Sequence, residues 1–204
     1  MNFGNVEPGA EEPREAKKKL RLLGKEIRAR VIPQAGEEAA RRLADHGLDF
    51  LEPAPAYNSV VSGFYAFGEE LDAVPLMLRL MGGGHRLALP VMVGKGQPLI
   101  FRAWKPGDPM KEAAWGIKEP VDAAPEVSPD VLLVPLLAFD LSGYRVGYGG
   151  GFYDRTIAGL RAEKPIVTVG LALDELKVDR VPHDAFDQRL DWVLTPSGPI
   201  RCNG

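Results

Sequence analysis

Between residues 14 and 32 the chain sets Leu20, Leu23, Ile27 and Val31 three or four positions apart among Lys, Arg, Glu and Ala, a spacing that predicts a basic amphipathic helix. A second helix is predicted over 36–46, with Ala39, Ala40, Leu43 and Ala44 turned inward; Pro53 and Pro55 close that unit. Residues 59–67 hold Val60, Val61, Phe64, Tyr65 and Phe67 and read as a buried strand. Residues 69–81 then return to a helical period, with Leu71, Val74, Leu78 and Met81 on one face and Gly82, Gly83 and Gly84 as the stop. Further strands are predicted over 87–93, 98–104, 131–135 and 166–171, with a helix over 153–161 between the last two. Apolar strands alternating with amphipathic helices predict an α/β domain whose sheet is largely parallel and flanked by helices. Residues 105–128 carry Pro106, Gly107, Pro109, Gly116, Pro120 and Pro125 and read as a long irregular excursion of the kind that walls a binding site.

Composition narrows this picture. With 204 residues, 45% of them hydrophobic and 26% charged, the chain suits one sizeable core, so a single domain is expected over 14–204 behind a flexible leader at 1–13. A net charge of −3 supplies no global positive field for nucleic acid, so any anion must be caught locally. The apolar runs at 131–139 and 166–173 are too short for a bilayer and are interrupted by Pro135 and Gly170, and the N-terminus has no apolar signal core. The expectation is a soluble cytoplasmic protein without membrane or nucleic-acid partners. Its one cysteine, Cys202, removes an internal disulfide and a cysteine-based metal site from consideration.

Candidate chemistry concentrates at 145–155, where Arg145-Val-Gly-Tyr-Gly-Gly-Gly-Phe-Tyr-Asp-Arg155 follows the run 131–139. Glycines let backbone N–H groups approach an anion, and a helix beginning after them adds its positive end. Arg145 and Arg155 can neutralise phosphate, and Asp154 can hold the divalent cation that accompanies a nucleoside triphosphate. The segment is neither a P-loop, because no Gly-Lys-Ser/Thr follows, nor a dinucleotide fingerprint, because Phe152 stands where the third glycine would fall. A glycine-rich turn is the plain alternative, and Asp154 could merely complement the helix dipole. Lys17-Lys18-Lys19-Leu20-Arg21, with Arg28 and Arg30 beyond, reads by composition as a solvated basic face, and Glu70 as an acid at a helix start. Trp104 and Trp115 could plug the core or stack on a planar ligand. Asp184, Asp187 and Asp191 near His183 could include a metal ligand, whereas His46, His85 and His183 form no metal spacing.

Taken together these segments resemble the 5-formyltetrahydrofolate cyclo-ligase family. The match runs from Asp130-Val-Leu-Leu-Val-Pro135 through Phe139-Asp140 to Arg145-Val-Gly-Tyr-Gly-Gly-Gly-Phe-Tyr-Asp154. Supporting it are Lys17-x-x-Leu20-Arg21, the stretch from Ser62 to Asp72 with Glu70, Trp115-Gly116-Ile117-x-Glu119-Pro120, and Val181-Pro182 with Asp187 and Asp191. The resemblance spans about residues 16–195 and implies a fold similar to the ribose-5-phosphate isomerase and CoA-transferase type. It implies conversion of 5-formyltetrahydrofolate to 5,10-methenyltetrahydrofolate with ATP as co-substrate and Mg²⁺ as cofactor, by a monomer. ATP would lie against Lys17, Lys18, Lys19, Leu20 and Arg21 and the loop Arg145, Val146, Gly147, Tyr148, Gly149, Gly150, Gly151, Phe152 and Tyr153. Folate would face Tyr65, Glu70, Tyr148, Gly149, Gly150, Gly151 and Phe152; Glu70, Arg145 and Tyr153 would act in the chemistry, and Asp154 and Asp187 would bind Mg²⁺. A non-catalytic nucleotide-, folate- or RNA-binding member of the same fold is the alternative. Tyr148 stands where some relatives carry a basic residue, which puts one phosphate contact in question.

Overall fold

The structure is a computed structural model that describes residues 13–113 and 116–203; most of the expected leader and Trp115 lie outside them. Pro13, assigned to the leader from sequence, opens the first helix, where its missing N–H has no intrahelical partner to lose. That helix, α1, is one continuous element over Pro13–His46, and so joins the two expected helices. Pro33 lies inside it, and both Pro33 and Ala29, whose carbonyl loses its donor, are exposed, so water can satisfy the freed group and the helix need not end. The inward stripe also differs from the apolar period: Gly24, Ile27 and Arg28 are buried, whereas Leu23 is exposed.

After α1 come β1 (Val60–Ser62), α2 (Val74–Gly82), β2 (Arg86–Met92), β3 (Leu99–Ala103), β4 (Met110–Glu112), β5 (Lys118–Pro120) and β6 (Val131–Pro135). Then follow β7 (Ala138–Phe139), β8 (Arg145–Val146), α3 (Phe152–Glu163), β9 (Val167–Leu171), β10 (Trp192–Thr195) and β11 (Gly198–Arg201). The main sheet has the order β11-β10-β9-β6-β1-β2-β3. Its five central strands are parallel, and β3 and β11 add antiparallel edges. Strand β6 has four consecutive buried residues, Val131 to Val134, as expected of a parallel strand covered on both faces.

Three expected elements are corrected. The strand expected over 59–67 pairs only at Val60–Ser62, and the chain beyond it is a loop. The helix expected from 69 starts at Val74, where Asp72 Oδ1 accepts the Val74 N–H at 2.9 Å and Pro75 occupies the first turn. It buries Leu76, Met77 and Leu80, while Leu78 and Met81 are partly exposed. Glu70 therefore sits on a loop that leaves the carboxyl end of β1, not on a helix. The excursion 105–128 contains the β4–β5 hairpin, fastened to β2 by Glu119 Oε1, which accepts the Met92 N–H at 2.9 Å. The edge hairpin β10–β11 went unpredicted because its apolar stretch is only a few residues long.

The main apolar cluster extends from Ile27 and Leu43 of α1 across the sheet to Val193 and Leu194 of β10. Asp191 holds the β9–β10 junction by accepting from Thr168 N and Thr168 Oγ1 at 2.8 and 2.7 Å, with Arg161 alongside at 3.1 Å. No helix among the described residues is long and apolar enough to cross a membrane.

Candidate active site

A cavity of about 630 Å³ opens at the carboxyl ends of β1, β2 and β6, where open parallel sheets place their ligands. One wall is helix α1. Lys17, Arg21 and Lys25, each four residues from the next, turn one face toward it. The helix comes this close because of Gly24: a Cβ there would stand 2.1 Å from the Leu137 carbonyl oxygen, so only glycine lets α1 rest on the backbone that follows β6.

The glycine loop forms the second wall, between β8 and the start of α3. Arg21 Nε donates to the Gly147 carbonyl at 3.0 Å, and a Cβ added at Gly149, which has φ 98°, would stand 3.3 Å from the Arg21 guanidinium. That positive φ favours glycine, and any side chain there would also have to push the guanidinium aside. Residues 147–151 all line the cavity, as do Phe152, Tyr153 and Asp154 of the first turn of α3, whose free N–H groups carry the positive end of the helix dipole.

The two arginines flanking the loop have different fates. Arg145 is 8% exposed and lines the cavity with its fork engaged: Nη2 donates to Asp154 Oδ1 at 2.9 Å and Nη1 to the Gln188 carbonyl at 2.5 Å. Asp154 Oδ1 also accepts the Gln188 N–H at 3.0 Å, so Arg145 and Asp154 tie the loop to the segment that carries Asp187. Arg155, expected on phosphate, lies off the cavity lining and steadies the loop from outside, donating to the Gly150 carbonyl at 2.7 Å. Lys17 Nζ meets Asp187 Oδ2 at 2.5 Å and Asp184 Oδ2 at 3.7 Å.

The third wall is apolar, with Phe64, Met92, Leu99 and Phe152 around Tyr65 and Glu70. Tyr65 is held edge-on against the buried Trp104, ring centroids 5.7 Å apart, so Trp104 serves the core rather than a ligand. Glu70 is 9% exposed; its Oε2 accepts the Phe67 N–H at 3.0 Å and its Oε1 lies 3.8 Å from Arg28 Nη1. Burial pushes the Glu70 carboxyl above its ordinary value, against the opposing pull of the Phe67 N–H, Arg28 and Tyr148. The Tyr148 and Tyr153 phenols are also raised, by burial first and then by the nearby Glu70 carboxylate, so both remain hydroxyl donors at neutral pH.

Of the sequence-predicted site, Lys17, Arg21, Tyr65, Glu70, Arg145 and Asp187 meet in this cavity together with the whole of 146–154. Lys18, Lys19 and Leu20 do not line it. Lys18 is exposed beside Glu15, Lys19 is exposed, and Leu20 packs into a small cluster with Ala138, Val146 and Val181. The reason is helical period: only every third or fourth residue of α1 can face the loop. The same period could have found Lys25, one further turn along the Lys17–Arg21 stripe. Arg28 and the 3%-exposed Glu119 were missed because composition makes a charged residue look like surface.

Asp154 and Asp187 supply hard oxygen donors to one cavity, and their described contacts use Oδ1 of the first and Oδ2 of the second. That chemistry suits Mg²⁺, which takes one or two carboxylates and completes its shell with water and phosphate oxygens. No group of three or more His, Cys, Asp or Glu among the described residues could enclose a metal without such a ligand.

A mostly parallel α/β sheet, with a cation- and glycine-walled cavity at its strand ends beside an apolar pocket, defines an α/β enzyme whose site is suited to an anionic group next to an apolar one. Residues 13–196 match the model of the 5-formyltetrahydrofolate cyclo-ligase family, and the chain belongs to that family. The 5-formyltetrahydrofolate cyclo-ligase of Haemophilus influenzae is 31% identical over 183 residues, covering 87% of this chain and 96% of that one. Its namesake from Escherichia coli is 34% identical over 176 residues, covering 83% and 94%. The 5,10-methenyltetrahydrofolate synthetase of Aquifex aeolicus, solved by NMR, superposes with a TM-score of 0.67 at 28% identity, over 95% of this chain and 94% of that one.

Proposed function

We propose that this chain is a monomeric, single-domain cytoplasmic enzyme that converts 5-formyltetrahydrofolate to 5,10-methenyltetrahydrofolate, consuming ATP in the presence of Mg²⁺ and releasing ADP and phosphate. One observation carries the reading: a glycine loop with Lys17 and Arg21 shares a single cavity with an apolar wall that bears Tyr65 and the buried Glu70.

The chemistry requires that sharing. A formyl group on N5 is amide-like, so its carbon is a poor electrophile and its oxygen a poor leaving group. Attack of that oxygen on the γ-phosphorus breaks the bond to the bridging oxygen and expels ADP, which turns the formyl oxygen into a phosphate ester. N10 then attacks the activated carbon and loses its proton, and the C–O bond breaks to release phosphate as the five-membered ring closes. Both reacting groups must lie within one site for in-line transfer.

The chain's part is positioning and charge neutralisation. Lys17 and Arg21 face the triphosphate, the N–H groups of 147–151 and the α3 terminus cradle it, and Arg145 keeps Asp154 in place. Mg²⁺, when bound, would be held by Asp154 and Asp187 and would neutralise phosphate charge. Tyr65 and Phe152 flank the pterin, and Glu70 accepts either its N–H donors or the proton that N10 sheds. Tyr153, with its phenol kept neutral, is a donor to developing phosphate charge.

Purified protein mixed with 5-formyltetrahydrofolate, ATP and Mg²⁺ should develop the near-ultraviolet absorbance of methenyltetrahydrofolate, with one ADP formed per product. A folded protein that binds ATP and folate without turnover would instead support a non-catalytic binding module.

A further inference from the structure

Arg28 is the most deeply enclosed cation among the described residues of α1, at 3% exposure, and the nucleotide contacts proposed above do not use it. Three separate parts of the fold converge on its guanidinium. One Nη2 hydrogen bond goes to the Leu136 carbonyl, just beyond β6. Nη1 donates to the Tyr148 hydroxyl at 3.0 Å, across 120 residues of sequence, and the same nitrogen lies 3.8 Å from Glu70 Oε1. Glu70 Oε2 is separately fixed by the Phe67 N–H at 3.0 Å. Both oxygens of the Glu70 carboxylate are thus oriented, one by its own loop and one by α1.

Burying a guanidinium is costly, and a position that only needed packing would be better served by Leu or Met. What arginine adds is a rigid planar fork that stays charged and can address two acceptors in fixed directions. Here one arm anchors to the backbone behind the site and the other aims at two side chains that line it. Tyr153 of α3 lines the same cavity as Glu70 and Tyr148.

We propose that Arg28 is a positioning residue for the folate half of the cavity: bound to Leu136, it sets the orientation of the Glu70 carboxylate and the Tyr148 ring, and it does not serve the nucleotide. This inference rests on the reading that Glu70 faces folate. A merely structural Arg28, bracketing α1 to Leu136, would affect both substrates alike and would do so whatever residue stood at 70.

The test is a double-mutant cycle read as the calorimetric Kd and the KM for 5-formyltetrahydrofolate, beside the KM for ATP. Arg28→Met should weaken folate about tenfold while the ATP KM moves by less than about twofold, and adding it to Glu70→Gln should cost less than about twofold more, as interacting residues do. Arg28→Lys should recover little, because an ammonium cannot span Leu136 and Tyr148 at once. Equal losses on both substrates, or losses that multiply in the double variant, overturn the proposal. Should Arg28→Met fail to fold, Tyr148→Phe at its half-exposed site replaces it: folate should weaken about threefold, the double variant with Arg28→Lys should be no weaker than Arg28→Lys alone, and losses that multiply overturn the proposal. If Glu70→Gln alone leaves folate binding unchanged, the folate role of Glu70 falls and the proposal with it; if it weakens binding but the losses multiply, only the proposal falls.

Discussion

Lys17 and Asp187, 170 residues apart in sequence, meet at 2.5 Å on the cavity edge, each with a side chain less than one-fifth exposed. Arg145 and Asp154 form a second such pair at 2.9 Å. In the first pair a cation proposed for phosphate and a carboxylate proposed for Mg²⁺ therefore neutralise one another. On the proposed function, loading the site would exchange partners at the first pair, with phosphate taking over Lys17 and the metal taking Asp187, while Arg145 goes on holding Asp154.

Asp187→Asn breaks that exchange at one pair. Metal-free ATP should bind the variant about fivefold more tightly, because Lys17 is released, whereas the gain in ATP affinity on adding Mg²⁺ should shrink by about tenfold. Titration calorimetry with and without Mg²⁺ reads both quantities. Metal-free affinity that falls along with the metal-bound affinity would contradict the exchange.

Glu70→Gln should lower kcat/KM by about a hundredfold while raising thermal stability, on the scale typical of lost acid–base or substrate-orienting groups. The stability sign follows from burial, which holds the folded carboxyl above its ordinary value of 4.5. A raised folded value means the group favours folding at pH below 4.5 and loses that contribution as pH rises through the raised value. Melting scans should therefore show the variant's advantage widening from pH 4 toward neutrality, and a constant difference would refute the assignment.

Gly24→Ala tests the close approach of α1. Helix propensity alone predicts a gain of about 1 kcal/mol. The added Cβ would instead stand 2.1 Å from backbone oxygen, which cannot swing aside as a side chain could. Denaturant unfolding should show a net loss of about 1–3 kcal/mol, and ATP binding should weaken because Arg21 and Lys25 are moved off the loop. A stabilised variant would mean that α1 does not pack this way.

Asp130 joins β6 to its neighbours: Oδ2 accepts the Val60 N–H at 2.8 Å and Oδ1 pairs with Lys164 at 2.8 Å. Burial works to raise this carboxyl, but the Lys164 hydrogen bond, the Val60 N–H and the charges of Lys164 and Arg86 prevail and hold it below its ordinary 3.8. A lowered folded value gives stability that is present above pH 3.8 and lost as pH falls through the lowered value. Because the Asp130 side chain is 43% exposed, screening limits the effect, and Asp130→Asn should cost about 0.5–1 kcal/mol at pH 7. The cost should vanish in acid, as denaturant titrations at pH 7 and pH 2 would reveal.

Local rules recovered much of this molecule. The apolar run at 131–135, the glycine loop and the helix after it are written in short-range chemistry, and all three lie where their sequence predicts. Local rules failed where a residue's meaning depends on what covers it. Pro33 marks a helix end only if the freed carbonyl is shielded from water, and here it is not. Leu78 and Met81 satisfy a helical period, yet the face that packs on the sheet is that of Leu76, Met77 and Leu80.

The sequence by itself determined an α/β fold with a parallel centre, the glycine loop that leads into α3 and the family, because strand runs, glycine spacing and motif order are properties of neighbouring residues. Tertiary structure alone decided which basic residues of α1 reach the site, since helix rotation selects Lys17, Arg21 and Lys25 and turns Lys18 and Lys19 away. It alone joined Lys17 to Asp187 and Arg28 to Glu70 and Tyr148, because attraction between charges depends on distance in space and on the water excluded around them, neither of which chain position encodes.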